Sequence, residues 1–295
     1  MADYQVDRDY LTRMVEKIPA FPQSVNRILE ITASADCSPK EIVSVIEYDP
    51  VLTMKLLKMV NSAYFGLAQE VSSVKQSVVY VGINTVKNVA ITMATLGVLP
   101  KENKAGLNGD EIWLHSLKVG VIARMVAQDR GIMRNDLASY FVAGLLHDVG
   151  KMVCAEYLSE AYAAVLEKSA HEATTPFQDI EKSLLGLDHA EVGGMVAEKW
   201  QLPAELIRAI QGHHDIVAED AQSPLVLSIA FANEAVHHLE SLKAVEEGVE
   251  GAVVYQPSLA PEVTAWAGDM ESVLGRLSDL DKEVEKAKAF INMSK

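Results

Sequence analysis

The chain has 295 residues, 49% of them hydrophobic and 23% charged, with a net charge of −15. That is the profile of a globular chain with room for a sizeable core. Its acidity disfavours a sequence-independent grip on nucleic acid or on an anionic membrane, both of which need clustered cations. Two cysteines, Cys37 and Cys154, stand far apart without a CxxC, so neither a disulfide framework nor a zinc ribbon is expected. The N-terminus, Met1 to Arg8, is charged and lacks the apolar core of a signal peptide. No apolar run reaches the ~18 residues of a membrane span. The expected location is the cytoplasm, with no membrane and no nucleic-acid partner.

In chain order, Ile18-Pro19-Ala20-Phe21-Pro22 is an extended entry pinned by prolines. Ser24 to Ile31 has helical apolar spacing. Ser38-Pro39-Lys40-Glu41 predicts a capping box with proline at the first helical position, and Asp49-Pro50 opens the next helix. Asn61-Ser62-Ala63-Tyr64-Phe65-Gly66 breaks that helix, and Val74 to Val81 and Thr85 to Leu96 supply two more. The polar stretch Leu99 to Gly109, with one proline and two glycines, is the expected boundary between residues 1–100 and 110–295.

Beyond it the helices lengthen. Asp110 to Gln128 is amphipathic, and Leu137 to Asp148 is almost wholly apolar, as expected of a central buried helix. Glu156 to His171 predicts a helix, and Phe177 to Lys199 another that carries Asp188-His189-Ala190-Glu191. Pro203 starts a helix ending at Gly212-His213-His214, and Ser223-Pro224 caps one through Val236. Glu246 to Gly251 reads as an exposed loop and Glu271 to Asn292 as a charged amphipathic helix. No strand set or regular repeat is evident. The expected fold is all-α, an N-terminal helical bundle followed by a second one.

The chemistry gathers around Gly144-Leu145-Leu146-His147-Asp148-Val149-Gly150-Lys151. A His-Asp pair at the end of an apolar helix suits a borderline divalent metal, and the trailing Lys151 suits a phosphate. Glu111 and His115, four apart, leave the same helix face. His189, and the tandem His213 and His214, recur on separate helices, and Asn233 lies on the last helix of the set. This mixed nitrogen and oxygen set fits iron, manganese, nickel or zinc better than magnesium or calcium. His171, His237 and His238 read as ordinary structural histidines.

Asp49-Pro50…Leu56-Leu57…Asn61-Ser62-Ala63-Tyr64-Phe65-Gly66 resembles the N-terminal signature of HDOD domains, output or scaffold modules of bacterial signalling proteins. Gly144 to Lys151 is similar to the motif of HD metal-dependent phosphohydrolases, cousins of the HD-GYP cyclic-dinucleotide phosphodiesterases. The resemblance runs from Ile18 to Val236. It implies an HD-type bundle with Glu111, His115, His147, Asp148, His189, His213 and His214 as metal ligands. These would hold one or two transition-metal ions, iron before manganese, nickel or zinc. Two departures bear on activity. Asn233 stands where the family's last ligand is an aspartate, and Asp215-Ile216-Val217-Ala218 replaces the Gly-Tyr-Pro loop. The resemblance therefore implies a signalling module that binds protein partners or a nucleotide-type ligand with little or no turnover. The alternative is a phosphohydrolase in which Asp148 bridges two ions and Lys151 steadies the phosphate.

Overall fold

The computed structural model describes residues 5–34, 37–100, 102–172, 175–216, 222–249, 251–277 and 279–292. Within them the chain is all-α with no strand. Val217 and Ala218, from the segment replacing the Gly-Tyr-Pro loop, and Lys101 of the polar stretch lie outside the described residues. No helix among them is long and apolar enough to cross a membrane.

The N-terminal part comprises α1 (Arg8–Lys17), α2 (Gln23–Ala33), α3 (Pro39–Glu47), α4 (Pro50–Val60), α5 (Val74–Val81) and α6 (Ile83–Val98). Asp49 caps α4 by accepting from the Leu52 amide at 3.0 Å. Ser38 makes no such bond at α3, so the expected capping box does not form there, and Pro39 at the first position starts the helix. The Asn61 amide exchanges two 2.8 Å hydrogen bonds with the Val71 backbone, closing the loop that follows α4. Tyr64 then seats against Phe141 and Phe290 at ring distances of 4.9 and 5.0 Å. Asn61 to Gly66 therefore acts as structure, joining the first helices to later ones.

Then come α7 (Gly109–Asp129), α8 (Leu137–Leu146), α9 (Val149–Tyr157), α10 (Ser159–His171), α11 (Phe177–Leu185), α12 (His189–Lys199), α13 (Ala204–Gly212) and α14 (Pro224–Glu246). Three shorter ones follow: α15 (Pro261–Ala267), α16 (Met270–Arg276) and α17 (Leu280–Asn292). The apolar helix from Leu137 ends at His147-Asp148 as expected, and a further helix the sequence reading did not give, α9, begins there. Two other expected helices are divided. The run from Phe177 ends at Gly186, whose φ of 81° is the left-handed conformation that glycine tolerates. Asp188 and Glu191 then form a capping box that starts α12 at His189. The last helix is split into α16 and α17, and α17 delivers Phe290 to the core.

One hydrophobic core runs through both parts, from Leu11 to Phe290. The extended proline segment docks at the C-terminal end of α12: the Trp200 indole donates to Pro19 O at 3.0 Å and stacks on Phe21.

Candidate metal centre

Two close helix crossings bring the site together. At α7–α8, Gly120 and Gly144 face each other, and a Cβ on Gly144 would stand 2.5 Å from Gly120 Cα. Glycine alone permits that approach. It sets the His115 and His147 rings 5.5 Å apart. At α9–α12, a Cβ on Gly150 would run into the His189 carbonyl oxygen and lie 2.8 Å from Gly193 N. That crossing sets Asp148, which precedes α9, against His189, the first residue of α12. His213 caps the end of α13 and His214 follows it.

Asp148 is the centre of the cluster and is buried. Its Oδ1 faces His189 Nε2 at 3.1 Å and His213 Nε2 at 3.9 Å. Its Oδ2 faces His147 Nε2 at 3.4 Å and His115 Nε2 at 3.8 Å, and accepts from Lys151 Nζ at 2.8 Å. His214 Nε2 stands 3.1 Å from His189 Nε2. One carboxylate thus presents an oxygen to each of two imidazole groups: His189, His213 and His214 on one side, His115 and His147 on the other.

The imidazoles are oriented by acceptors behind them. His147 Nδ1 donates to Gly144 O at 2.7 Å and His213 Nδ1 donates to Ile210 O at 2.8 Å. His189 Nδ1 donates to the Glu181 carboxylate at 2.5 Å. His147 and His213 therefore keep their lone pairs on Nε2, aimed at the cluster centre, and the Glu181 carboxylate holds the His189 ring in the way that fixes metal-ligating histidines. The Nε2 atoms of His147 and His213 and the Oδ1 of Asp148 are buried and make no hydrogen bond. Buried acceptors without donors are costly. A divalent cation would satisfy all three, so the donor set fits a metal ion.

The electrostatics agree. Burial pushes His147 down to about 3 and His213 and His214 well below the usual imidazole value, so all three are neutral and hold free lone pairs at neutral pH. Burial opposes ionisation of Asp148, but the Lys151 ammonium and the His189 imidazolium beside it outweigh burial and hold the carboxyl well below its usual range. Burial also opposes charge on His189, and the Glu181 carboxylate overcomes it, lifting His189 to about 9.

Of the expected residues, the structure gathers His115, His147, Asp148, Lys151, His189, His213 and His214, with Asn233 beside them. It does not bring in Glu111. That side chain is exposed in the first turn of α7, and its carboxylate accepts from Asn108 Nδ2 at 2.7 Å while its amide is capped by Asn108 Oδ1. Asn233 Oδ1 lies 3.0 Å from His115 Nε2. Three contributors escaped the sequence reading: Glu181, His237 and Glu240. Glu181 is fully buried, accepting from His189 N, His189 Nδ1 and the Tyr162 hydroxyl. His237 and Glu240 share the Asn233 face of α14 at i+4 and i+7, a spacing visible in the sequence.

The cluster opens into a cavity of about 690 Å³ whose lining includes Lys151, Phe177, His214, Asn233, His237 and Tyr255. Glu234 anchors the far wall, accepting from the Tyr255 hydroxyl at 3.0 Å and the Ser258 amide at 2.8 Å. A Lys-bearing cavity beside a carboxylate and imidazole cluster can seat an anionic ligand against a cation.

Comparison with known proteins adds the lineage. The HDOD domain family matches residues 18–216. A Treponema pallidum protein of uncharacterised function is 27% identical over 234 residues, 79% of this chain and 45% of that protein. The chain thus spans less than half of that relative. A Geobacter sulfurreducens HDOD domain protein of unknown function superposes with a TM-score of 0.71 at 24% identity, covering 96% of this chain and 99% of the other. A Shewanella amazonensis protein described as a candidate phosphohydrolase superposes with a TM-score of 0.70 at 22% identity, covering 95% and 97%. The two structures share the fold.

Proposed function

Since the chain belongs to the HDOD family, we propose that it is a cytoplasmic signalling module built around an HD-type metal centre, binding protein partners or a nucleotide-type ligand with little or no turnover. The observation that carries this reading is the pair of imidazole groups around a single buried carboxylate, with three buried acceptor atoms, His147 Nε2, His213 Nε2 and Asp148 Oδ1, left without donors. His147, Asp148, His189, His213 and His214 would hold one or two transition-metal ions, iron before manganese, nickel or zinc. When bound, such an ion supplies Lewis acidity toward a phosphoryl oxygen and lowers the pKa of a coordinated water.

The chain's own residues weigh against efficient hydrolysis. Asn233, a neutral amide, sits against His115 where a carboxylate would add charge to the second imidazole group. Lys151 spends its ammonium on Asp148 Oδ2. Phe177 lies under that ammonium, 5.2 Å from ring centroid to Nζ, which further steadies it. The partner-facing side falls to residues 1–100. There α3, α4 and α5 pack together and leave Tyr48, Val51, Met54, Val79 and Tyr80 exposed. Residues 110–295 form the metal-holding part.

The alternative is a phosphohydrolase, favoured by the cavity that gives Lys151 and the histidines a common opening. An anaerobic assay of iron- or manganese-loaded protein with cyclic-di-GMP and with a chromogenic aryl phosphate separates the two. The module reading expects no turnover on cyclic-di-GMP beyond roughly 1 per minute, far below ordinary enzymes. Faster turnover that disappears in His147→Ala establishes the hydrolase instead.

A further inference from the structure

A second group of ligand-type side chains lies on the outer side of His115, away from Asp148. His115 Nδ1 is 3.7 Å from Glu240 Oε2. His237 packs on His115 with ring centroids 4.7 Å apart. One ligand atom from each of His115, His237 and Glu240 lies within 4.8 Å of the others. His237 and Glu240 are one turn apart on α14, which packs against α7, so a single helix pair sets the whole arrangement.

The orientation of His115 makes this a place for a cation. Its Nε2 faces Asn233 Oδ1 at 3.0 Å, and an amide oxygen only accepts, so Nε2 is the donor to Asn233. That turns Nδ1 toward the Glu240 carboxylate, whose Oε2 stands 3.7 Å away, beyond hydrogen-bond distance. Among the described residues His237 makes ring contacts with His115 and Tyr255 and no hydrogen bond, so it adds an uncommitted imidazole nitrogen. Two imidazoles and a carboxylate form a known donor set for zinc and for ferrous iron, and ligand atoms bound at about 2.0–2.2 Å to one tetrahedral ion stand roughly 3.3–3.5 Å apart. Lys118 Nζ holds the other oxygen, Glu240 Oε1, at 2.8 Å, which leaves Oε2 for the cation and also opposes it by charge.

We propose that His115 Nδ1, His237 and Glu240 form an outer binding position for a divalent transition-metal ion, separate from the Asp148 cluster, and that Asn233 turns His115 toward it. With a neutral amide at residue 233, His115 serves the outer position. The inner cluster keeps His147, Asp148, His189, His213 and His214. The outer position does not depend on metal in the inner one.

Zinc titration of the metal-stripped full chain against a chromophoric chelator tests this by counting ions. Native protein should bind one ion more than His237→Ala or Glu240→Gln, and His213→Ala should retain that outer ion. Asn233→Asp should tighten the outer ion several-fold, since a carboxylate accepting from His115 Nε2 makes Nδ1 a more basic ligand. Lys118→Met should tighten it several-fold, a gain that damage to the fold would not produce. Unchanged stoichiometry and affinity in both His237→Ala and Glu240→Gln would overturn the proposal, as would no zinc at all on His213→Ala. If His237→Ala melts early, Glu240→Gln, a near-isosteric change at a half-buried position, decides the matter. Native protein that binds the outer ion but no inner one would count against the Asp148 centre and support this one.

Discussion

Gly150→Ala should damage both the fold and the centre, because it strikes the α9–α12 crossing that aligns Asp148 with His189. The added methyl would overlap the His189 carbonyl oxygen and lie 2.8 Å from Gly193 N and from His189 C. Relaxed carbon contacts are about 3.5–4.0 Å, so the helices must part by roughly 1 Å. The obstacles are backbone atoms, which cannot rotate aside. Overpacking of this kind costs about 1–3 kcal/mol, and rigid obstacles put the change at the upper end. At about 2–4 °C per kcal/mol for a large domain, about 3 kcal/mol corresponds to a melting point lower by roughly 6–12 °C. Metal affinity should fall too, since Asp148 Oδ1 and His189 Nε2, now 3.1 Å apart, separate with the helices. Gly97→Ala is the control. A Cβ on Gly97 meets nothing within 4 Å, so alanine there should stabilise α6 by about 0.5–1 kcal/mol. Thermal melts by circular dichroism and a metal titration read both variants. Native-like melting and affinity in Gly150→Ala would refute the reasoning about the crossing.

Other outcomes follow from the same geometry. Glu181→Gln keeps the shape but removes the charge that orients His189, and metal affinity measured by chelator competition should fall about 10–100-fold. Asn61→Ala removes both bonds to Val71 and should cost about 1–3 kcal/mol in urea unfolding, with metal affinity unchanged. In metal-stripped protein, stability should drop as pH falls below 6.5. His147 and His237 are pushed by burial to about 3 in the folded chain, so the unfolded chain takes up their protons first, at up to about 1.4 kcal/mol per pH unit for each. His189, raised to about 9, acts in the opposite sense: its contribution is full below 6.5 and is lost as pH rises through 9. Urea midpoints should therefore peak near pH 6.5, and a flat profile from pH 7.5 to 5 would contradict the burial of neutral imidazoles.

The all-α fold was legible because helical apolar spacing and proline and aspartate caps recur along the chain. Helix breaks were harder. The end of α8 at His147-Asp148 was legible, but the helix that follows it, α9, was not. Gly186 and the Asp188 capping box divide what spacing alone joins, since caps compete with periodicity over only a few residues. Most of the cluster was legible because histidines on separate helices are rare enough to imply convergence. Glu111 was misplaced because i, i+4 spacing puts residues on one face without saying how far that face is covered, and the first turn of α7 is exposed. Glu181 was hidden because its role depends on a tertiary contact between α11 and α12. His237 and Glu240 followed the Asn233 spacing, but their partner His115 comes from a helix more than a hundred residues away.

Elemental analysis of native protein and of Asp148→Ala, each purified without a metal-affinity step and then reconstituted anaerobically with iron or zinc, tests the central claim most directly. The buried carboxylate and its lone-pair-bearing imidazoles predict at least about one ion per chain at that centre in native protein and its loss in Asp148→Ala, with His238→Ala, whose Nδ1 donates to Tyr255 O, unaffected. Native protein that takes up no more metal than Asp148→Ala would contradict the metal centre.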